Sequence, residues 1–380
     1  SQSLIRSDFW RSGISNKIPS YPEVIFNSNI RQSIDNVEKN PSIENIQQLL
    51  ETSDNDFKYV TDYANDVKSQ IHGSDITFVV NRNINYTNIC SFKCNFCAFS
   101  KGRGHDDLRG KPYNISHEEI IRRTNEAVAR GATEVCLQGG IHPKYSGETY
   151  LDIVRAIRSA SPSIHIHAFS PLEIDHGRKT LNISAKEFLV ELKKAGLNSL
   201  PGTAAEILHD EIRAIICPDK LTTKQWIEII ETAHSVGLPT TSTMMFGHIE
   251  KTAHVAHHLL ELLNLQKKTN GITEFVPLPF VADEAPIFRR GQARPGPTFK
   301  ETILVHSVAR ILFQGQINNI QGSWVKMGLP GLKFLLSSGI NDIGGVLMNE
   351  SITRSAGASF GQELRLEEVE GIVNELGLNL

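Results

Sequence analysis

The chain has 380 residues, of which 40% are hydrophobic and 21% are charged, so it can bury a large core. Its formal net charge of −3 argues against a nucleic-acid partner, and no apolar stretch approaches the roughly 20 residues needed to span a bilayer. No signal peptide is visible, so we expect a cytoplasmic protein without membrane contact. An organelle is the alternative if a transit peptide preceded Ser1.

Two apolar helical patterns, at 43–50 and 57–71, predict a helical addition over residues 1–75. From there to residue 380, short β-branched runs alternate with amphipathic stretches, and 366–376 predicts a last helix. Strands are predicted at 76–86, 133–138, 164–169, 199–200, 240–246, 273–277, 317–321 and 343–348. Eight βα units predict an α/β fold, a TIM-type (β/α)8 barrel over residues 76–380.

Serine or threonine followed three residues later by glutamate or glutamine is a capping-box spacing. It predicts helices that begin after Ser116, Ser184 and Thr222. Behind the short fourth strand, Thr203 is expected to open another helix, whose first turn carries Glu206. The histidine-rich run 254–258 predicts a solvated helix face rather than a metal site, because no carboxylate motif accompanies it.

Three of the five cysteines, Cys90, Cys94 and Cys97, follow the first predicted strand in a C-x3-C-x2-C spacing. An iron–sulfur cube needs four iron ligands, so three thiolates leave one iron open to a ligand that is not protein. A zinc knuckle is the alternative, but a closed zinc site needs four N or S ligands. Cys136 and Cys217 lie far off without a paired spacing, and the odd cysteine total favours a reducing compartment over disulfides.

The loops that follow the strands build the active site of such barrels. After the first strand, Phe96 and Phe99 are expected to surround a cluster with apolar surface. The second strand ends in Gln138, Gly139 and Gly140, where two glycines let the backbone approach a ligand closely. A glycine pair at such a turn is weak evidence by itself, because most such pairs only make the turn.

Two carboxylates follow the third and fourth strands. Glu173 is placed to accept the ribose hydroxyls of a nucleoside, with Ser170 as a neighbouring donor. Glu206 is a candidate catalytic residue, and Arg213 is a candidate partner for a substrate carboxylate. The alternatives are a surface glutamate for Glu173 and, for Glu206, a carboxylate that only favours a helix start.

The remaining loops of this rim carry amides, hydroxyls and carboxylates, which suit a polar, hydroxyl-rich substrate. Arg354 is a second cation for a substrate carboxylate and the third candidate catalytic residue. The candidate substrate-binding residues are Thr203, His248, Gln321, Ser323, Asn349, Glu350 and Thr353.

Three runs, 85–100, 200–206 and 355–363, carry a family resemblance. They resemble radical S-adenosylmethionine (SAM) enzymes of the branch that contains the futalosine enzymes of menaquinone synthesis and the deazaflavin (FO) synthases. The chain is most similar to the tyrosine-using subunits of FO synthase. The resemblance implies a [4Fe–4S] cluster with SAM on its open iron, and Tyr86 near these cofactors. The chain departs from the commoner Gly-Gly-Glu form of the family, since Gln138 precedes the glycines and no carboxylate follows.

The implied reaction is transfer of a 4-hydroxybenzyl (hydroxyphenyl) group from L-tyrosine to 5-amino-6-(D-ribitylamino)uracil. A deoxyadenosyl radical would take hydrogen from the tyrosine amine, the Cα–Cβ bond would break, and the benzyl fragment would join C5 of the uracil. The resemblance implies a functional partner, CofG, that closes the deazaflavin ring, while the reductant protein stays unspecified.

Two alternatives stay open. Aminofutalosine synthase and dehypoxanthine futalosine cyclase share the cysteine motif and the barrel but use no free tyrosine. A non-catalytic iron–sulfur electron-transfer protein belongs to another class and would need neither the glycine pair nor a polar barrel rim.

Overall fold

The computed structural model describes residues 8–23, 28–100, 111–346, 349 and 352–380. Glu350 and most of the loop after Ser100 therefore lie outside the described residues. None of the helices in these described ranges is both long and apolar enough to cross a bilayer.

The centre of the molecule is a closed ring of parallel strands. Its strands are β1 Thr77–Val79, β2 Asn81–Asn85, β3 Glu134–Gln138, β4 His165–Ala168, β5 Thr240–Phe246, β6 Ile272–Pro279 and β7 Asp342–Gly345. β1 and β2 are successive parts of one strand, and Thr77 pairs with Asp342 to close the ring. Single bridges at 199–200 and 320–321 fill the fourth and seventh positions. The predicted eight-stranded TIM-type barrel is confirmed.

Helices surround the ring. They are α1 Ser28–Lys39, α2 Ile43–Leu50, α3 Asp54–His72, α4 His117–Ala129, α5 Gly147–Ala160, α6 Pro171–Thr180, α7 Ala185–Ala195, α8 Asp210–Ile216, α9 Thr223–Ser235, α10 Thr252–Thr269, α11 Pro286–Arg289, α12 Phe299–Phe313, α13 Trp324–Leu336, α14 Ile352–Ser355 and α15 Leu366–Glu375. α1 to α3 precede the first strand and pack on α10 and α12. Ile46, Phe57 and Val60 of these helices belong to the same continuous core as the barrel, so their apolar faces are buried against it.

The capping signals act as expected. The hydroxyl oxygens of Ser116, Ser184 and Thr222 each accept a hydrogen bond from the backbone N–H three residues on. In the last two, the Glu187 or Gln225 side chain also accepts from the backbone N–H of the capping residue. These bonds satisfy amides that the first helical turn leaves without partners, so the helices begin where the sequence predicts.

The helix expected at Thr203 does not form, and the next helix begins at Asp210. Ala204 and Glu206 instead have φ angles of 59° and 48°, in the left-handed region. The reason is competition for the carbonyls. Met245 of β5 donates its N–H to the Glu206 carbonyl at 2.8 Å, and Arg213 donates to the Ala204 carbonyl at 3.3 Å. The segment is therefore held by the neighbouring strand and a buried arginine.

Three half-buried carboxyl groups lie towards the amino ends of the strands. Glu134 begins β3, Asp342 begins β7, and Glu274 of β6 hydrogen-bonds to Asp342. Burial, followed by the nearby charge of Asp342, raises the pKa of Glu134 to about 7. Burial also raises the pKa of Glu274 well above its usual range, so this end of the barrel favours neutral carboxyls.

Candidate active site

One cavity opens at the carboxyl ends of the strands, where the following loops meet. Its apolar part includes Leu278 at the end of β6 and Phe280 and Val281 just after it. The sequence-predicted residues that line it are Cys90, Cys94, Phe96, Cys97, Phe99, Gln138, Gly139, Gly140, Ser170, Glu173, Thr203, Glu206 and Thr353. The structure thus brings together all three cysteines, most of the expected cofactor residues and two expected substrate residues.

The three cysteines share one wall of this cavity. Burial raises the pKa of the Cys94 thiol to about 12 and raises that of Cys97. Backbone N–H groups of Ser100 and Phe99 donate to Cys97 and oppose that shift. The Ile141 N–H lies 3.3 Å from the Cys90 sulfur. Amide donors of this kind stabilise thiolate charge, so the set suits a bound iron–sulfur cluster, whose positive irons would keep the thiols ionised.

Asn95 fixes the cysteine loop from outside. Its backbone N–H donates to the Ile216 carbonyl at 2.9 Å, and its side-chain amide donates to Ile215 at 2.6 Å. Ile287 donates to the Asn95 carbonyl at 2.7 Å, and Arg290 donates to its side-chain oxygen at 3.0 Å. We call this four-bond arrangement the Asn95 anchor. It joins the loop to the ends of α8 and α11 with protein groups alone.

The glycine pair after β3 packs closely against the first strand. A Cβ at Gly139 would overlap the Tyr86 ring, and one at Gly140 would overlap the Ile89 carbonyl. The Gly140 N–H donates to the Thr87 carbonyl at 2.9 Å. Both glycines are therefore required by close packing as well as by access to the cavity.

Glu173 lies under this pair and is only 2% exposed. It accepts from the Tyr86 hydroxyl, from the Ser170 N–H at 2.6 Å and from the Gly139 backbone. Burial raises the pKa of the carboxyl, and these donors oppose the rise. Tyr86 itself lies behind the cavity wall. Glu173 is thus already fixed by this chain, and it can offer a ligand only its remaining acceptor capacity.

Lys220 also lines the cavity, although no sequence motif indicates it. Its ammonium lies 3.0 Å from the Glu206 carboxylate and 4.9 Å from the centre of the Phe96 ring. Burial alone would lower the pKa of Lys220, but Cys94 and Glu206 raise it above its usual value. A charged lysine therefore faces the cysteine wall. No local spacing predicts it, because Lys220 reaches the wall from the loop between α8 and α9.

Neither predicted arginine lines the cavity. Arg213 is buried and donates to the backbone carbonyls of Leu221 at 2.8 Å, Ala205, and Ala204. Since those carbonyls occupy its donors, it holds the loop of Glu206 instead of a substrate. Arg354 is exposed and does not line the cavity.

Several predicted substrate residues lie away from the cavity wall. His248 is fully buried, with its ring between the Met245 carbonyl at 2.8 Å and the Ile249 N–H at 2.8 Å. Gln321 packs under Gly344, and Ser323 precedes α13. Asn349 is exposed. None of these four lines the cavity, so their substrate roles stay predictions without support from its lining.

The histidine run is not a solvated face throughout. The His258 ring is fully buried and accepts from the Leu208 N–H at 2.8 Å. His257 donates to the Leu208 carbonyl at 2.8 Å. The two histidines of α10 therefore satisfy the backbone of Leu208, just after the Glu206 loop.

Comparison with known proteins agrees with this geometry. The model of the radical SAM superfamily matches residues 84–263, and that of the CofH/MqnC C-terminal region matches 269–379. Among solved structures, methylornithine synthase (PylB) has a TM-score of 0.70 at 16% identity, covering 91% of this chain and 96% of its own. The hydrogenase maturase HydG of Carboxydothermus hydrogenoformans has a TM-score of 0.67 at 17% identity, covering 92% and 79%. These two show the fold.

Curated relatives are much closer in sequence. The 5-amino-6-(D-ribitylamino)uracil–L-tyrosine 4-hydroxyphenyl transferase of Methanothermobacter thermautotrophicus is 46% identical over 87% of this chain and 89% of its own. The FO synthase of Mycobacterium leprae is 48% identical over 84% of this chain but only 36% of its own, so the chain spans about a third of that longer protein.

A barrel with three cysteines on the loop after its first strand defines the class, and the chain belongs to the radical SAM superfamily. Within that superfamily it belongs to the CofH family.

Proposed function

We propose that this chain transfers the 4-hydroxybenzyl (hydroxyphenyl) group of L-tyrosine to 5-amino-6-(D-ribitylamino)uracil in the synthesis of the deazaflavin FO. One observation carries the proposal. The match to the Methanothermobacter transferase spans nearly the whole of both chains, at 46% identity. Different enzymes of this radical SAM branch make different products on the same barrel fold. The assignment therefore rests on this relative and not on the fold.

The cavity suits a [4Fe–4S] cluster and SAM. Cys90, Cys94 and Cys97 would hold the cluster, and the Gly139–Gly140 backbone with Glu173 would hold SAM. When bound, the reduced cluster and SAM supply a carbon-centred radical that removes a hydrogen atom from the substrate. Phe96 and Phe99 place apolar surface around this region and limit the access of water.

The other side of the cavity has to hold the substrates. Thr203 and Thr353 offer hydroxyls, and Glu206 with Lys220 forms a partly buried ion pair. Leu278 and Phe280 provide apolar surface against which an aromatic ring can pack. A cavity that is apolar in one part and polar in another suits a phenol, an amino acid and a uracil bound together.

The name FO synthase on the longer Mycobacterium protein supports a role for a second activity, which we assign to CofG. We propose that CofG closes the deazaflavin ring after this chain has made the adduct. We also propose a cytoplasmic reductant protein that supplies electrons to the cluster.

The test is anaerobic turnover of the reconstituted protein with SAM, dithionite, tyrosine and the ribitylaminouracil. Mass spectrometry should detect deoxyadenosine that depends on tyrosine, and a hydroxybenzyl adduct only when the uracil is present. Phenylalanine should be a poor substitute, because a site that hydrogen-bonds a hydroxyl rejects an analogue without it. Turnover driven instead by dehypoxanthine futalosine, or by a chorismate-derived enol ether, would move the chain to the menaquinone side of the branch.

A further inference from the structure

Among the described residues, two lysines line the cavity, and they approach it from different parts of the barrel. Lys220 follows the fourth strand position. Lys326 follows the seventh strand position. Its ammonium donates to the hydroxyl of Thr353 at 3.1 Å, and Thr353 follows the eighth strand. The two ammonium groups therefore reach the cavity from different loops of its rim, one after the fourth strand position and one after the seventh.

Lys220 lies on the same side of the cavity as the cysteines. It contacts the Phe96 ring and the Glu206 carboxylate, and its charge acts on the Cys94 thiol. Any anionic group that Lys220 attracts would therefore lie beside the cluster wall.

Lys326 is held in place by its backbone. It lies in the first turn of α13, where the Trp324 indole donates to the Gly345 carbonyl at 2.8 Å. The Gly13 N–H donates to the Lys326 carbonyl at 2.6 Å, and the Gly13 carbonyl accepts from Ser359 at 2.8 Å. These bonds tie the start of the helix to the last strand and to both ends of the chain. A side chain on such a support is preorganised for binding.

The proposed reaction brings two carboxylates into one cavity, that of SAM and that of tyrosine. Leu278, Phe280 and Val281 make part of the wall apolar, and a carboxylate that loses water there needs a cation. We infer that the Lys326 ammonium, aligned by the Thr353 hydroxyl, binds the α-carboxylate of the amino-acid substrate and selects amino acids over amines. This inference rests on the proposed function, and it leaves Lys220 to the cofactor side.

The test measures binding of L-tyrosine and of tyramine, which lacks the carboxylate, to the anaerobically reconstituted protein with SAM present. Equilibrium dialysis with radiolabelled ligands gives the dissociation constants. Lys326→Met should weaken tyrosine binding by roughly 10- to 100-fold, the effect expected for one charge-assisted hydrogen bond. SAM affinity and iron content should stay unchanged. Lys333→Met is the matched control, because Lys333 lies in the same segment, beyond the kink at Gly328, and pairs with Glu375 at the surface.

The two ligands together separate binding of the carboxylate from a general loss of structure. Wild type should prefer tyrosine to tyramine by that same factor, and Lys326→Met should bind both about equally. Lys326→Arg should recover part of the preference, because it keeps the charge. A Lys326→Met protein that still prefers tyrosine as strongly as wild type would overturn the inference while the proposed function stands. A wild-type protein that neither binds nor turns over tyrosine would overturn both the inference about Lys326 and the proposed function.

Discussion

Glu173 is a single buried carboxylate that joins three parts of the cofactor side. It accepts from Tyr86 of the first strand, from Ser170 at the start of α6 and from Gly139. Its binding to the ribose of SAM stays a prediction from the sequence. The contacts show a structural role, in which Glu173 fixes the backbone of the glycine pair at the cavity.

Glu173→Gln should therefore weaken SAM binding by roughly 10- to 100-fold, because the neutral amide loses charge-assisted hydrogen bonds to Tyr86, Ser170 and Gly139. Isothermal titration with SAM gives the affinity, and iron content should stay normal. Glu187→Gln is a matched control, since Glu187 holds the same capping-box position on the exposed start of α7. Equal SAM affinity in both variants would reduce Glu173 to a helix cap.

The cysteine assignment makes a sharper prediction. Cys94→Ser should lose most cluster iron and the electron paramagnetic resonance signal of the reduced cluster, because three thiolates are the minimum that leaves one iron open. Cys217→Ser is the control, because Cys217 is buried and close enough for its charge to act on Cys94. Full iron in Cys94→Ser, or loss of iron in Cys217→Ser, would show that a different set of thiols holds the cluster.

Local patterns identified the cysteines, the glycine pair and Glu173 because each belongs to a short motif. They could not identify Lys220 or Lys326, whose partners lie in other parts of the chain. Because local patterns do not show such contacts, they also could not show which groups occupy Arg213. Arg213 looked available in the sequence, yet backbone carbonyls up to nine residues away occupy its guanidinium.

At the scale of elements, the strands and most helices were predictable, because alternation of β-branched runs with capped amphipathic stretches is a local signal. Even the fourth strand, which contributes only single bridges, was found at 199–200. The segment after it was not. Thr203 has the look of a helix cap, but Arg213 and β5 bind the carbonyls that a helix would use. Tertiary hydrogen bonds therefore decide its backbone. The division at residue 75 stays a prediction.

Arg213→Met should lower the free energy of unfolding by about 3 kcal/mol, because it leaves buried carbonyls of the Glu206 loop without donors. Chemical denaturation of the protein measures this loss. Arg155→Met serves as the control, since Arg155 is half exposed and pairs with Glu148 on the surface, where such pairs contribute less than about 1 kcal/mol. Equal stability of the two variants would contradict the proposed support of the loop by Arg213.

At the scale of the whole molecule, the barrel has two chemically different ends. The carboxyl end carries the cavity. The amino end contains Glu134, Glu274 and Asp342, with the His165 ring 3.9 Å from Glu134. Burial, followed by the charge of Asp342, raises the pKa of Glu134 from its ordinary 4.5 to about 7 in the folded chain. The folded state thus binds this proton more tightly than the unfolded state does. The contribution of protonated Glu134 to the free energy of unfolding is complete below pH 4.5. It is lost as the pH rises through 7.

Glu134→Gln should remove this loss, because the amide cannot ionise. Above pH 7 the variant should exceed wild type in free energy of unfolding, by up to about 3 kcal/mol. Below pH 4.5 the difference should vanish. Denaturation curves from pH 4 to 9 measure the trend, with Glu370→Gln on the exposed side of α15 as the control. A wild type whose stability rises between pH 5 and 8 relative to Glu134→Gln would contradict the assignment.

The Asn95 anchor bears on how the protein would acquire the iron of the cluster that its family implies. Its four hydrogen bonds hold the cysteine loop to residues 215–216 and 287–290 through protein groups alone, so the loop is in place once the barrel has folded. A zinc finger, by contrast, folds only around its metal. We therefore expect the barrel and its cysteine loop to fold before any cluster is loaded. A cluster destroyed by oxygen is then expected to be replaceable on the same polypeptide, without a new round of synthesis.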